Sequence, residues 1–559
     1  SASSSSRIAP PGASIRQHRS PVPEAAVVRT IDAQALAARF VTRDRWALVD
    51  VREPVAYERR HIFGATSVPR QRLELRIGAL VRDAATPIVL YDEGNGRAER
   101  AAATLVRHGY RDVAVLGGGI DAIAGNTPLR VVSGTNVPSK LFGEEVLHGH
   151  DVPYVTAETF ASWQASGRDV VLCDVRTPEE HGASCVPGAL GAPSFAIALA
   201  AADLAAAHET VVVTCAGRTR SIIAALTLRE LGHANVVALE NGLMGWRLAG
   251  REVEAGARRA VPSPTEASVA AALRASRRLA DAAGVTRVNV PALRLLLDDP
   301  VRNAYAFDVR PVRAYAAGHI PGTTALPGGQ AIQRTDDFVA IRSAPVVLVD
   351  THGVEANLTA TWLRRMGLPS VSVLDGGIDA WRAAGEPIAP GRGRDSPLGW
   401  TATLGSVRLE SPSVCERMRA EGALVLDVDA SRHFRAGHVP GAVWAPRGDL
   451  EDTIGRLAPS LATPLIVTCG TGTQSVYAAA ALQAEGYRDV AVLRGGTRAW
   501  QESGRPLDPV ALPPQDDELL PPYQRGLDAM RDYIDWEKLL VAAGGDADLH
   551  GKTMKERQS

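Results

Sequence analysis

The chain has 559 residues, 61 Lys+Arg against 62 Asp+Glu, and 45% hydrophobic residues. That length exceeds what one core organises, so several domains are expected. The balanced charge excludes a global basic field for nucleic acid, and no apolar run approaches the ~20 residues that span a bilayer.

Residues 1–26 form a Ser-, Pro- and Arg-rich segment without the apolar core of a secretory signal, and read as a flexible tail. The first predicted strand, Ala47-Leu48-Val49 running into Asp50-Val51-Arg52, has three successors. They end in Asp174-Val175-Arg176, Asp308-Val309-Arg310 and Asp427-Val428-Asp429. A turn of the form Gly-His-Ile-Pro-Gly follows, clean at 318–322, nearly so at 437–441, and altered at His61-Ile62-Phe63-Gly64 and Ser184-Cys185-Val186-Pro187-Gly188. A second apolar run then enters a polar loop opened by Asp92, Cys215, Asp350 and Cys469 in turn, 42, 41, 42 and 42 residues after the first Asp. A third run ends at Gly119, Gly242, Gly377 and Gly496, always 27 residues after the loop opens. Such constant spacing marks four homologous domains.

The boundaries predicted are 27–132 around Asp92, 152–258 around Cys215, 287–390 around Asp350 and 402–509 around Cys469. Between the second and third, residues 259–286 form a linker with a helix over 266–283, expected to pack between the two halves. Residues 510–559 form a helical extension, with Tyr523, Leu527, Met530, Ile534, Leu539 and Leu540 at helical spacing for docking on a neighbour. Within the second repeat, Thr210–Thr214 reads as a buried strand, 221–231 as a helix and 235–239 as the next strand. Alternating strands and helices give an α/β fold: four tandem domains, each a small doubly wound parallel sheet with helices on both faces. Ligands bind such sheets at the carboxyl ends of strands, where the Cys215 and Cys469 loops lie.

In Cys215-Ala216-Gly217-Arg218-Thr219-Arg220-Ser221 a strand stops, the chain turns tightly and a helix begins. Small residues let backbone N–H groups point inward, and the helix adds its own unpaired N–H groups, making an anion cradle floored by a thiol. Lowering a free thiol's pKa from about 8.5 by about two units requires roughly 2.7 kcal/mol. One or two charge-assisted hydrogen bonds supply about 1.5–3 kcal/mol each, so the cradle suffices. Arg218 and Arg220 are then expected to attract and orient a dianionic donor. The loop Cys469-Gly470-Thr471-Gly472-Thr473-Gln474-Ser475 carries no charge besides the thiol, and offers neutral hydrogen bonds instead. Five scattered cysteines without a CxxC pair exclude a disulfide framework and a structural zinc site, and neither metal nor cofactor is expected. Cys173 and Cys415 read as packing residues, and Cys185, where two other repeats have His319 and His438, as a packing residue or a relay thiol.

The Asp-Val-Arg strand end, the Gly-His-Ile-Pro-Gly turn, the Cys loop and the late Gly-Gly…Ala-Trp segment together resemble rhodaneses over roughly residues 27–509. The resemblance implies a rhodanese fold and a thiosulfate-type sulfurtransferase acting through a persulfide on Cys215 and Cys469; the location expected is the cytoplasm. It implies substrate binding by Ala216, Gly217, Arg218, Thr219 and Arg220 in one loop, and by Gly470, Thr471, Gly472, Thr473 and Gln474 in the other. A small sulfur donor, a thiol or cyanide acceptor and a persulfide-carrying protein are the partners it admits, with neither nucleic acid nor membrane. The family's pairing of a cysteine-less domain with an active one is matched twice, making repeats one and three scaffold and cleft wall. The Cys469 loop is similar to that of mercaptopyruvate sulfurtransferases, apart from Gln474. A phosphatase of the dual-specificity type uses Cys-x5-Arg, one residue longer than the interval from Cys215 to Arg220. A non-catalytic scaffold is the other rival, and two intact Cys loops weigh against it.

Overall fold

The computed structural model describes residues 28–42, 44–123, 128–393 and 397–542; the tail expected over residues 1–26 and the end of the extension lie outside them. Four five-stranded parallel sheets recur along the chain with one topology, strand order 1-5-4-2-3 within each repeat. In the first, Arg29–Ile31, Val113–Leu116, Ile88–Tyr91, Ala47–Asp50 and Thr66–Ser67 lie side by side. The central strands are buried at every position, as Ile88–Tyr91 and Thr210–Thr214 show, because helices cover both faces. Every repeat is thus a small doubly wound α/β unit.

The constant interval of 27 residues has a steric cause. Gly119, Gly242, Gly377 and Gly496 all adopt positive φ. A Cβ on each would fall 2.5, 2.3, 2.4 and 2.0 Å from the carbonyl oxygen of Asp92, Cys215, Asp350 and Cys469 respectively. That same oxygen accepts the N–H of the next residue, Ile120, Leu243, Ile378 or Thr497, at 2.8–2.9 Å. Only glycine lets the two backbones meet, so the loop-to-glycine register cannot drift.

The repeats pack in a crossed order. Repeat two lies against repeat three: Trp362 Nε1 donates to Thr227 Oγ1 at 2.8 Å, and Arg365 pairs with Glu230 at 2.9 Å. Repeat one lies against repeat four through a closed ring of ion pairs in which Arg70, Glu74 and Arg447 are buried and Glu451 is half-buried. Arg70 meets Glu74 at 3.0 Å and Glu451 at 3.1 Å, while Arg447 meets Glu74 at 2.7 Å and Glu451 at 2.8 Å. Repeat one also touches repeat three, where Tyr305 Oη donates to Leu80 O at 2.6 Å. A single apolar core runs through the first three repeats, including Leu90, Val213 and Leu348, and the fourth has its own around Leu426 and Val467.

Three helices outside the sheets tie this together. Val137–Gly149 packs on the helix after the Cys215 loop, Thr219–Glu230. Glu266–Ala282 packs on Val354–Arg365 of repeat three and on Ser194–Ala200 of repeat two. Leu527–Ala542 docks on the first of these. Among the described residues no helix is long and apolar enough to cross a membrane.

Candidate active site

Each repeat presents its loop at the carboxyl end of the central strand. In repeats one and three the loop is filled. Asp92 Oδ1 accepts the Gly94 N–H at 2.7 Å and Oδ2 the Ala98 N–H at 2.8 Å. Asp350 does the same with Gly353 at 2.7 Å and Ala356 at 3.0 Å. The N–H groups of this loop therefore converge on an acceptor, and in repeats one and three a carboxyl group fills the place; burial pushes the Asp350 carboxyl up, and the Ala356 and Gly353 amides oppose this.

Repeats two and four put a thiol on the same floor. Cys215 Sγ lies 3.3 Å from Ser221 Oγ, and Cys469 Sγ 3.4 Å from Ser475 Oγ. Sequence reasoning passed over both serines, although the signal was present. The residue six after the loop opener is Ser in both Cys repeats and Ala98 or Ala356 in both Asp repeats. A hydroxyl at that place gives the sulfur a partner that a carboxylate does not need.

Cys215 is only 2% exposed, yet it forms part of the wall of a cavity of about 850 Å³. Ala216, Gly217, Arg218, Thr219 and Arg220 line that cavity too. Its far walls come from repeat one (Arg59), repeat three (Gln330, Arg334) and the extension (Tyr533, Trp536), not from repeat one alone. The two arginines differ from expectation. Arg218 forks onto Glu144 at 2.5 and 2.7 Å and also reaches Asn241 Oδ1 at 2.8 Å. Arg220 forks onto Glu180 with both contacts at 2.8 Å. Both guanidinium groups line the cavity with their charge already matched, so they shape the loop more than they add free positive charge. Thr219 Oγ1 donates to Glu537 Oε1 at 2.7 Å, so the extension holds the loop directly. Glu144, Glu180 and Glu537 went unnoticed in the sequence because each lies far from the loop along the chain.

The Cys469 loop is arranged differently. Cys469 is also 2% exposed. Gly470 lines a cavity of about 180 Å³ together with Asp427, Asp429 and His433. Thr471 and Thr473 pair through their hydroxyls at 3.2 Å, Gly472 makes the left-handed turn with φ +88°, and Gln474 Nε2 donates to Gln71 O of repeat one at 2.9 Å. Burial pushes the Cys469 thiol up, and Asp429 adds to this; the Ser475 hydroxyl and amide and the Thr471 amide oppose it.

The remaining cysteines are buried packing residues. Cys185 pairs its backbone with Glu254 in both directions, at 2.8 and 2.9 Å, and burial pushes its thiol up. Burial pushes the Cys173 thiol to about 12 and the Cys415 thiol to about 11. Arg176 and Arg310 are bound to Asp174 and Asp308 within their own strand ends. No cluster among the described residues could hold a metal ion.

Comparison with known proteins agrees with this architecture. The rhodanese-like domain model matches four times, at residues 32–126, 156–249, 291–384 and 411–503. The crystal structure of a thiosulfate sulfurtransferase from Pseudomonas aeruginosa superposes with a TM-score of 0.86 at 34% identity, covering 94% of this chain and 100% of that one. The thiosulfate sulfurtransferase GlpE of Pseudomonas fluorescens is 36% identical over 90 residues, which is 16% of this chain and 81% of that enzyme. Human 3-mercaptopyruvate sulfurtransferase is 25% identical over 244 residues, 36% of this chain and 82% of that enzyme. Four matched repeats, and a likeness that spans nearly the whole chain, place this protein in the rhodanese family, as a rhodanese-type sulfurtransferase.

Proposed function

We propose that Cys215 carries the sulfur in a two-step transfer from thiosulfate or a related donor. The Cys215 thiolate attacks the sulfane sulfur, the donor's S–S bond breaks, and its electron pair leaves with sulfite. A thiolate or cyanide then attacks the outer sulfur of the persulfide, and the bonding pair returns to Cys215. The observation that carries this reading is the pair of carboxylates in repeats one and three. They support it because the loop N–H groups converge on a carboxyl there, and repeat two presents the corresponding loop to a thiol lining a large cavity. A loop with Cys-x4-Arg, and both arginines engaged by carboxylates, leaves a phosphate-sized ligand without its clamp. Five free thiols fit a reducing, cytoplasmic setting.

For Cys469 we propose a less charged donor, mercaptopyruvate or another persulfide, small or protein-bound. Its uncharged loop and the neighbouring Asp429 favour this over thiosulfate. Thiosulfate and mercaptopyruvate kinetics on Cys215→Ser and Cys469→Ser test both assignments. Loss of thiosulfate turnover in the first and its retention in the second is expected; equal residual activity in both discards the division of labour.

A further inference from the structure

We propose that Asp429 is the specificity-determining residue of the fourth repeat: it turns Cys469 away from dianionic sulfur donors and towards neutral or singly charged ones. This rests on the reading of Cys469 as a sulfur-accepting thiol.

The four repeats serve as controls for one another. At the end of the first strand three of them carry Asp-Val-Arg, with the arginine folded back on the aspartate. The Nε–Oδ1 distances are 3.0, 3.0 and 2.8 Å for Arg52, Arg176 and Arg310. Each of these arginines also donates to a main-chain carbonyl eight residues on, at 2.6, 2.6 and 2.8 Å. The fourth repeat has Asp429 in that place, so a cation is exchanged for an anion beside a cysteine loop.

The carboxylate of Asp429 is fixed and aimed. Oδ1 accepts the Ala430 N–H at 2.7 Å and contacts His433 Nδ1 at 3.0 Å, while Oδ2 accepts the Gly470 N–H at 2.6 Å. Gly470 follows Cys469 directly, so one amide of the loop is spent on a carboxylate instead of facing an incoming anion. In repeat two the matching residue is Ala216, and the strand end beside it carries Arg176 folded onto Asp174 where repeat four has the Asp429 carboxylate. The sequence has adapted to the exchange. A Cβ on Gly470 would lie 2.8 Å from Asp429 Oδ2, so the alanine of repeat two would push this carboxylate off the Gly470 N–H. Asp429 comes with glycine and Arg176 with alanine. Without a guanidinium partner, Asp427 is pushed up to about 7 by burial; the Asp429 N–H opposes this and the Asp429 charge adds to it.

A donor reaching Cys469 therefore meets a fixed negative charge. One unit charge about 6 Å from another, at an effective dielectric near 20, changes occupancy by roughly a hundredfold, and a second charge on the donor doubles the exponent. After screening, roughly tenfold or more of discrimination against a dianion is expected.

The test uses the full chain with Cys215→Ser, so that only Cys469 can take up sulfur. Rates of sulfur uptake, followed by intact mass in single turnover, are compared for thiosulfate and mercaptopyruvate. Asp429→Asn keeps the shape and the acceptor for Gly470 but removes the charge, and should raise the thiosulfate-to-mercaptopyruvate ratio roughly tenfold. The ratio is unaffected by any fraction of protein lost to misfolding. Asp429→Arg, which rebuilds the Asp-Val-Arg pair, should raise it further where it folds. Uptake with an unchanged ratio in Asp429→Asn overturns the assignment to Asp429 and leaves the reading of Cys469 standing. No uptake from either donor by any of these proteins overturns that reading, and the proposal with it.

Discussion

The thiol at the floor of either loop sits among a few short contacts. Ser475 is the side chain that opposes the burial of Cys469. Ser475→Ala should push the thiol further up and slow its alkylation at neutral pH by roughly tenfold, the worth of one charge-assisted hydrogen bond. Iodoacetamide rates on the Cys215→Ser background, measured across pH, check this; an unchanged profile would mean the backbone alone sets the thiol. At this scale the sequence was informative about which residue opens each loop and poor about what surrounds it. Cys215, Cys469 and the two Asp substitutes could be read directly from spacing. The fate of Arg218 and Arg220 could not, because Glu144 is 74 residues and Glu180 40 residues away along the chain.

Helices outside the repeats hold the Cys215 loop in shape. Glu144, on Val137–Gly149, is fully buried and bears the Arg218 fork. Arg218→Ala would strand that carboxylate, and is expected to destabilise the protein by about 3–5 kcal/mol, whereas a solvent-facing substrate clamp would lose affinity with stability intact. Denaturant unfolding of the variant, beside its thiosulfate KM, separates the two. This helix is not legible in the sequence for a physical reason: residues 137–146 are all buried, Ser139, Lys140, Glu144 and Glu145 among them, so its polar positions do not mark a solvent face. The helix between the two halves was legible, since Glu266–Ala282 has a polar face and a Thr265 cap. So was the extension's tendency to dock, though not that it would bring Glu537 to Thr219.

The whole molecule is held by contacts between repeats far apart in sequence, and here the pattern of tandem pairs misled. Repeats one and two do not form a self-contained unit; repeat one shares its ion ring with repeat four, and repeat two its helix face with repeat three. Sequence spacing shows that four domains exist, but not which faces meet, because those faces are chosen by side chains such as Glu74 and Arg447, 373 residues apart. Burial alone would push Glu74 up, but Arg447 and Arg70 outweigh it and hold its carboxyl at about 2. A carboxyl held below its unfolded value, about 4.3, stabilises fully above that value and loses its contribution as pH falls towards 2. The urea midpoint should therefore drop between pH 5 and pH 2.5, and Glu74→Gln, already weakened at neutral pH, should show a flatter slope over that window.

The central claim is that the Cys215 bowl holds one transferable sulfur, and intact-mass spectrometry of the Cys469→Ser protein after thiosulfate treatment tests it most directly. The account predicts a gain of one sulfur atom that cyanide removes, absent when Cys215 is also replaced by Ser. An unchanged mass after thiosulfate, with the protein folded, would contradict it.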